Sequence, residues 1–440
     1  MDSPYIALRG AYLTFTDDPF VVGDDAALHY EPDGLIVMHQ GRQLACGPFS
    51  ALREQWRHVP VRHYKDHLIL PGFIDSHVHF PQTQIIGSYG KQLIDWLNDY
   101  TFVAEQQFAD PDHARKVADT FLSECLRAGT TTAAVYCTVH PASVDAFFSA
   151  AQARNLRMIA GKVMMDRNAP DALLDTAQQG YDDSLALIER WHGRDRLHYA
   201  ITPRFAPTSS PAQLDAAGTL WRQFPDTYLQ THLSENEEEL AWVRRLFPER
   251  KHYTDVYAHY GLTGPRALFG HAIHLAEGEW DILSASGSSV IHCPTSNAFL
   301  GSGLFNMERA RNEVQGVRTG LATDVGGGTS LSLLRTMQCA YTLAQFRRYS
   351  LSAPKAFYLA TLGNAQALHL DDRIGKISPG YDADLVVMDM RSTPLIDFRM
   401  QRCSSLTEAL FVQMTLGDDR AIHAVYAGGD LVHQRNENAP

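Results

Sequence analysis

"LILPGFIDSHVHF", residues 68 to 80, is an apolar run that closes on two histidines one residue apart. An apolar stretch without polar alternation reads as a strand buried on both faces, the kind that parallel sheets use. Successive strand side chains point to opposite faces, so His77 and His79 share a face and can reach one metal ion or one substrate, with Asp75 on the same side. In a chain with 20 histidines such a pair is ordinary when it stands alone. Its meaning depends on what the rest of the chain brings to the same place.

The same pattern recurs down the chain. Short apolar or β-branched runs ending in polar residues follow as "GTTTAAVYCTVH" from 129, "RMIAGKVMM" from 157, "LHYAITPRFAP" from 197 and "YLQTHLSE" from 228. "RALFGHAIHL" from 266, "SSVIHCPTSN" from 288 and "VRTGLATDVGGG" from 317 complete a set of eight. Helical stretches separate them, such as "DPDHARKVADTFLSECLRAG", which opens on an acidic turn with Pro111 and closes at Gly129. Strand and helix alternating in this way predict an α/β fold, a TIM-like (β/α)8 barrel over residues 68–374, with its chemistry at the C-terminal ends of the strands. Residues 1–67 and 375–440 carry strand-like pieces with tight turns, including "DADLVVMDM" and a hairpin over Gly428 and Gly429. They are expected to form a small β-sandwich domain built from both termini.

Composition narrows the class. Hydrophobic residues make up 45% and charged residues 20%, as in a soluble globular enzyme. The net charge of -12 argues against a nucleic-acid binder driven by phosphate contacts. The six cysteines are scattered without a CxxC pair, which predicts free thiols and no cysteine-built zinc site. No window approaches the ~18 consecutive apolar residues of a membrane span, and "MDSPYIALRG" lacks the pattern of a signal peptide, so a cytoplasmic location is the default.

Five of the eight runs deliver candidate ligands or acid-base groups to the rim. His77 and His79 close the first, His232 and Glu235 the fifth, His271 and His274 lie in the sixth, His292 and Asn297 in the seventh, and Asp324 ends the eighth. Three imidazoles and a carboxylate from His77, His79, His232 and Asp324 suit one zinc ion and tolerate iron or manganese. Such an ion would leave a position for water and lower its pKa. Glu235 could move a proton from that water to a ring nitrogen, and Asp324 could help carry one to a leaving amine.

These elements resemble the amidohydrolase superfamily, on its metal-dependent deaminase branch, over nearly the whole chain. Binuclear members use a carboxylated lysine on the fourth strand; "HYAITPRFAP" has none, which favours a single metal and leaves Lys162 on the third strand a structural or exposed charge. The stretches "HVHFPQTQIIGSYGKQLIDWLNDYTF", "TPRFAPTSS" and "CPTSNAFLGSGLFN" are similar to members that act on guanine. The resemblance implies hydrolysis of guanine to xanthine and ammonia by a metal-activated water, with Glu235, Asp324 and His271 as catalytic groups. It also implies Gln82, Trp96, Arg204, Phe205 and His232 as substrate-facing side chains, Arg204 reading the purine O6, and a homodimer. Thr83 and Gln84 depart from the aromatic residue expected after the PQ pair, and His140 receives no role. Two other readings are a deaminase of a related ring (8-oxoguanine, a triazine, a pterin) and, from a different class, a non-catalytic scaffold. A scaffold gives no reason for the ligand set and Glu235 to persist together.

Overall fold

The eight expected runs form eight parallel strands in the computed structural model, which describes residues 5–89, 92–312 and 315–435. Four strands precede them: β1 (Ile6–Phe15), β2 (Leu28–His39), β3 (Arg42–Pro48) and β4 (Val61–Pro71). The barrel comprises β5 (Phe73–His79), β6 (Thr130–Tyr136), β7 (Arg157–Gly161) with the short β8 (Val163–Met164), and β9 (Leu197–Pro203). It continues through β10 (Tyr228–Leu233), β11 (Ala267–His271), β12 (Ser289–His292) and β13 (Arg318–Leu321). Every residue of β5 and β6 is buried, as the uninterrupted apolar runs require of strands covered on both faces. Strand order is sequential from β5 to β13. The ends meet where the Asp324 N–H donates to the His77 carbonyl at 3.0 Å and the His79 N–H donates to Val325 at 2.7 Å.

The run at 68–80 does not remain one barrel strand. It divides at Gly72, whose N–H donates to the Asp384 carbonyl at 2.9 Å; a Cβ there would stand 2.2 Å from the Thr131 hydroxyl. The part before Gly72 belongs to β4 and pairs with β1 and with β14 (Leu385–Asp389). With β15 (Ile422–Ala427) and β16 (Asp430–Gln434), these strands make one seven-stranded sheet in the order β16-β15-β14-β4-β1-β2-β3. The small β unit expected from both termini is therefore present, built as one continuous hydrogen-bonded sheet. The C-terminal strands join the free edge of β4, and the sheet curls so that Leu8 and Ile36 of the N-terminal strands share a core with Leu385, Val387, Ala424 and Tyr426 of the C-terminal ones. The sheet's other partner is the barrel itself, since Leu68, Leu70, Val386, Met388 and Val425 share a core with Ala118, Phe121 and Leu122 of the helix Pro111–Arg127. The hairpin between β15 and β16 turns on Gly428 and Gly429, both at positive φ. All six cysteines are free thiols, and among the described residues no helix is long and apolar enough to cross a membrane.

Polar contacts fasten the sheet to the barrel floor. The buried Asp382 carboxylate accepts from Arg157 of β7 at 2.5 Å and lies 2.6 Å from Arg42 of β3, while Arg196 pairs with Asp384. Removing one partner of such a pair strands the other charge in a low-dielectric site. Asp382→Asn is therefore expected to lower unfolding stability by about 3 kcal/mol, the lower end of the buried-pair range because Arg42 is 37% exposed. Denaturant titration checks this.

Candidate active site

The polar ends of β5, β10, β11 and β13 converge on one buried cluster. His77 Nε2 and His79 Nε2 lie 3.2 and 3.3 Å from the same Asp324 oxygen, and His232 Nε2 lies 3.2 Å from His79 Nε2. One ligand atom from each of His77, His79, His232 and Asp324 falls within 4.8 Å of all the others. His232 Nδ1 faces the Arg204 carbonyl at 2.7 Å, and a carbonyl can only accept. The proton therefore sits on Nδ1, and Nε2 turns its lone pair into the cluster. Buried His77 Nε2 has no hydrogen-bond partner despite its nearness to Asp324. Imidazole lone pairs crowded around a carboxylate, one of them orphaned, are a donor set that fits a divalent cation. Burial holds His79 down to about 4 and His232 well below its usual range, so both favour the neutral, ligating form. Burial alone would raise the Asp324 carboxyl, but His77, His79 and His271 override it and hold it well below the carboxylate range.

Beside the cluster stands a second carboxylate with the opposite bias. Glu235 is buried, accepts from the Ser302 hydroxyl at 3.0 Å, and lies 3.4 Å from His271 Nε2. Burial, and then the charge of Asp324, push it up to about 8. His271 is oriented by Asn297, whose Oδ1 lies 2.8 Å from Nδ1, and its Nε2 is 3.5 Å from Asp324. The backbone here is unusual: Ser234, His271, Ala272 and Asp324 all adopt positive φ, a conformation costly for residues with a Cβ and concentrated at functional sites. Gly270 makes room within it, because a Cβ there would stand 2.5 Å from the His77 ring.

A cavity opens on these groups, walled by Leu93, Trp96, Leu97, Phe205 and Leu300, with Gln82, Arg204 and Ser296 among its polar lining. His79, His232, Glu235, His271 and Asp324 also line it, so the expected substrate-facing residues and acid-base groups share one chamber. Gln82 and Arg204 both bond to Glu105, a fully buried carboxylate that the sequence reading passed over. Ser302 was visible only as part of "GSGLFN", and Asn297 as a candidate without a partner.

Other candidates lie elsewhere. Asp75 does not face the cavity; it accepts from the Thr323 backbone at 3.0 Å and from the Thr323 hydroxyl, tying β5 to the turn after β13. His292 stacks on Phe305 at 4.6 Å, and His274 bonds to the Ser302 carbonyl at 2.8 Å. Lys162 forms a buried ion pair with Asp175. Thr83 donates to the Phe80 carbonyl at 2.7 Å as a turn residue, Gln84 is exposed, and His140 is the residue before the helix Pro141–Ala153. Gly90 and Lys91, inside the quoted 77–102 stretch, fall outside the described residues.

The chain is similar to known proteins over nearly its whole length. A profile of the amidohydrolase family matches residues 68–432. Guanine deaminase of Escherichia coli (strain K12) is 50% identical over 434 residues, 98% of each chain. The solved E. coli guanine deaminase superposes with a TM-score of 0.96 over 98% of this chain and 100% of that one, at 50% identity. A guanine deaminase from C. acetobutylicum, solved with guanine in its active site, superposes with a TM-score of 0.88 at 28% identity, over 98% of this chain and all of that one.

The close approach at Gly270 gives a direct test of how packing sets the donor cluster. Gly270→Ala must displace the His77 ring, and is expected to weaken divalent-metal affinity about 10- to 100-fold, the scale seen when a ligand loses its support. Chelator competition measures it, and unchanged affinity would show that the ring tolerates the intrusion.

Proposed function

The chain belongs to the amidohydrolase family, and from that premise we propose that it deaminates guanine hydrolytically, giving xanthine and ammonia. The observation that carries this reading is the joint lining of one cavity by the donor cluster, by Glu235, and by the Arg204 guanidinium between apolar walls. Trp96 and Phe205 offer apolar walls for a planar base, and a fixed guanidinium donates to a carbonyl oxygen such as the purine O6 while repelling an amine at the same position. A guanine deaminase 50% identical over nearly the full length supports the substrate.

His77, His79, His232 and Asp324 would hold the metal, which we take to be one zinc ion per chain and which would supply a water acidified toward neutral pH. The protein's own groups then manage the protons. With C2 of guanine turned toward Asp324, Glu235 is assigned the transfer to N3 as water adds to C2. Its raised pKa keeps a proton available at neutral pH. His271, steadied by Asn297, hydrogen-bonds the attacking oxygen. Glu235 recovers a proton from the added water, Asp324 takes the other from the C2 hydroxyl and passes it to the exocyclic nitrogen, the C2–N bond breaks, ammonia leaves, and C2 becomes the carbonyl of xanthine. Residues 68–374 are taken as the catalytic unit, with 1–67 and 375–440 as the supporting β unit. The same reading takes the enzyme to be a cytoplasmic homodimer, which sedimentation and cell fractionation check.

Ammonia release is expected from guanine and not from adenine or cytosine. Glu235→Gln should retain its metal and lose on the order of 10² to 10⁴ in kcat, the usual worth of a positioned acid-base group. Activity within threefold of wild type would overturn the assigned proton path, and a metal-loaded wild type inert on guanine would overturn the substrate.

A further inference from the structure

Glu105 sits in the short helix Phe102–Gln106 that directly follows the helical turn Leu97–Thr101, and it is fully buried. A buried carboxylate is tolerated only where its charge and lone pairs are answered. Its two oxygens are divided between two partners. Oε2 accepts from Arg204 Nη1 at 2.7 Å, and Oε1 accepts from Gln82 Nε2 at 3.0 Å. Gln82 is held from its other end as well, since its Oε1 accepts from the Gly326 N–H at 3.1 Å.

Two consequences follow. The amide of Gln82 cannot turn over without placing an oxygen against a carboxylate and an NH2 against an N–H, so the hydrogen-bonding edge it offers the cavity is fixed. Arg204, with Nη1 committed to Glu105 and the Phe102 ring 5.6 Å from its guanidinium carbon, keeps its remaining N–H donors for a ligand in one plane. The pair is also electrically neutral. It offers directed donors without offering a net positive charge, which suits a neutral base and disfavours an anion. Guanine is neutral at neutral pH, whereas xanthine is more acidic and sheds a proton as the solution becomes mildly alkaline.

We propose that Glu105 is a positioning and selectivity residue of this cavity: it orients Arg204 and Gln82, and by cancelling the guanidinium charge it lets neutral guanine bind while the anionic form of the product is released. The proposal rests on the guanine reading above. The other titratable groups lining the cavity, His79, His232, Glu235, His271 and Asp324, are common to wild type and variant. A difference between the two in how xanthine inhibition varies with pH therefore reports the Arg204–Glu105 pair.

The test compares wild type, Glu105→Gln, Arg204→Ala and the double variant as metal-loaded full-length enzymes, reading guanine kcat and KM, xanthine inhibition from below to above neutral pH, and metal content. Glu105→Gln is expected to lower kcat/KM for guanine roughly 10- to 100-fold, mainly through KM, with metal content unchanged. Xanthine should inhibit it more strongly than wild type, increasingly so as pH rises. In the Arg204→Ala background the same change should cost less than about threefold, because only the hold on Gln82 is then left to lose. Equal weakening of guanine and xanthine at every pH, an additive cycle, or unaltered guanine kinetics would each overturn the proposal. Should the Gln variant fail to fold, Glu105→Asp retains the charge on a shorter arm. It is expected to raise KM while leaving xanthine inhibition as in wild type, and tightened xanthine inhibition there would overturn the role of the charge. A wild type that does not turn over guanine rejects the substrate reading itself, a result distinct from an additive cycle in an active enzyme.

Discussion

The seam between β5 and β13 is the constraint on which the rest depends. The hydrogen bonds that close the barrel there, from the Asp324 N–H to His77 and from the His79 N–H to Val325, belong to the backbone of residues whose side chains form the donor cluster. Closure and ligand geometry are thus one structural event. Asp75 reinforces it from below by bonding to Thr323 through both backbone and hydroxyl. A side chain placed by a strand ladder has little freedom, which is what three converging imidazoles and one carboxylate need to meet within a few ångströms.

Strain and close packing complete what the ladder begins. His271 at the end of β11 and Asp324 in the turn after β13 both adopt left-handed backbone, and both side chains line the cavity. The glycines after Asp324 allow the following turn to pack tightly, since a Cβ at Gly326 would meet Gln82 at 2.9 Å and one at Gly327 would meet the Ser296 hydroxyl at 2.6 Å. The run "TDVGGG" therefore does more than shape a turn. It brings the chain carrying Asp324 against the chain carrying Gln82.

The barrel was legible because a strand covered on both faces must be apolar throughout, and that leaves a signal within a single short window. The rim was legible for a related reason: polar residues at the ends of apolar runs have no packing explanation, and several of them coincide. What failed to show were features decided across long stretches of sequence. Whether β14 pairs beside β4 or packs opposite it is settled by edge pairing between residues some three hundred positions apart, as Val386 with Leu70 illustrates, and no local pattern encodes it. Asp75 obeys strand parity on paper, but a register irregularity between Asp75 and Val78 against β6 breaks that parity. Glu105 lies in "FVAEQQF", which looks like any helical turn, and its partner Arg204 is 99 residues away. His274 and His292 had the right residue type in the right runs; the former bonds to Ser302 and the latter stacks on Phe305 outside the cavity.

The chamber assembles three carboxylates and gives each a different electrical condition. Asp324, ringed by imidazoles, is held ionised and acceptor-only, as a ligand requires. Glu235, buried beside that negative charge with a single hydroxyl donor, is pushed up to about 8, as a proton carrier requires. Glu105, matched to a guanidinium, contributes geometry without a net charge. Exchanging their environments would lose the function although the residue types were unchanged: an acid among the imidazoles would compete with the metal for the lone pairs, and an unpaired carboxylate beside the purine carbonyl would repel it. Division of labour among like side chains is therefore set by the neighbours that the fold supplies, and separation of the proton affinities of Asp324 and Glu235 is what allows ligation and proton transfer to proceed side by side in one cavity.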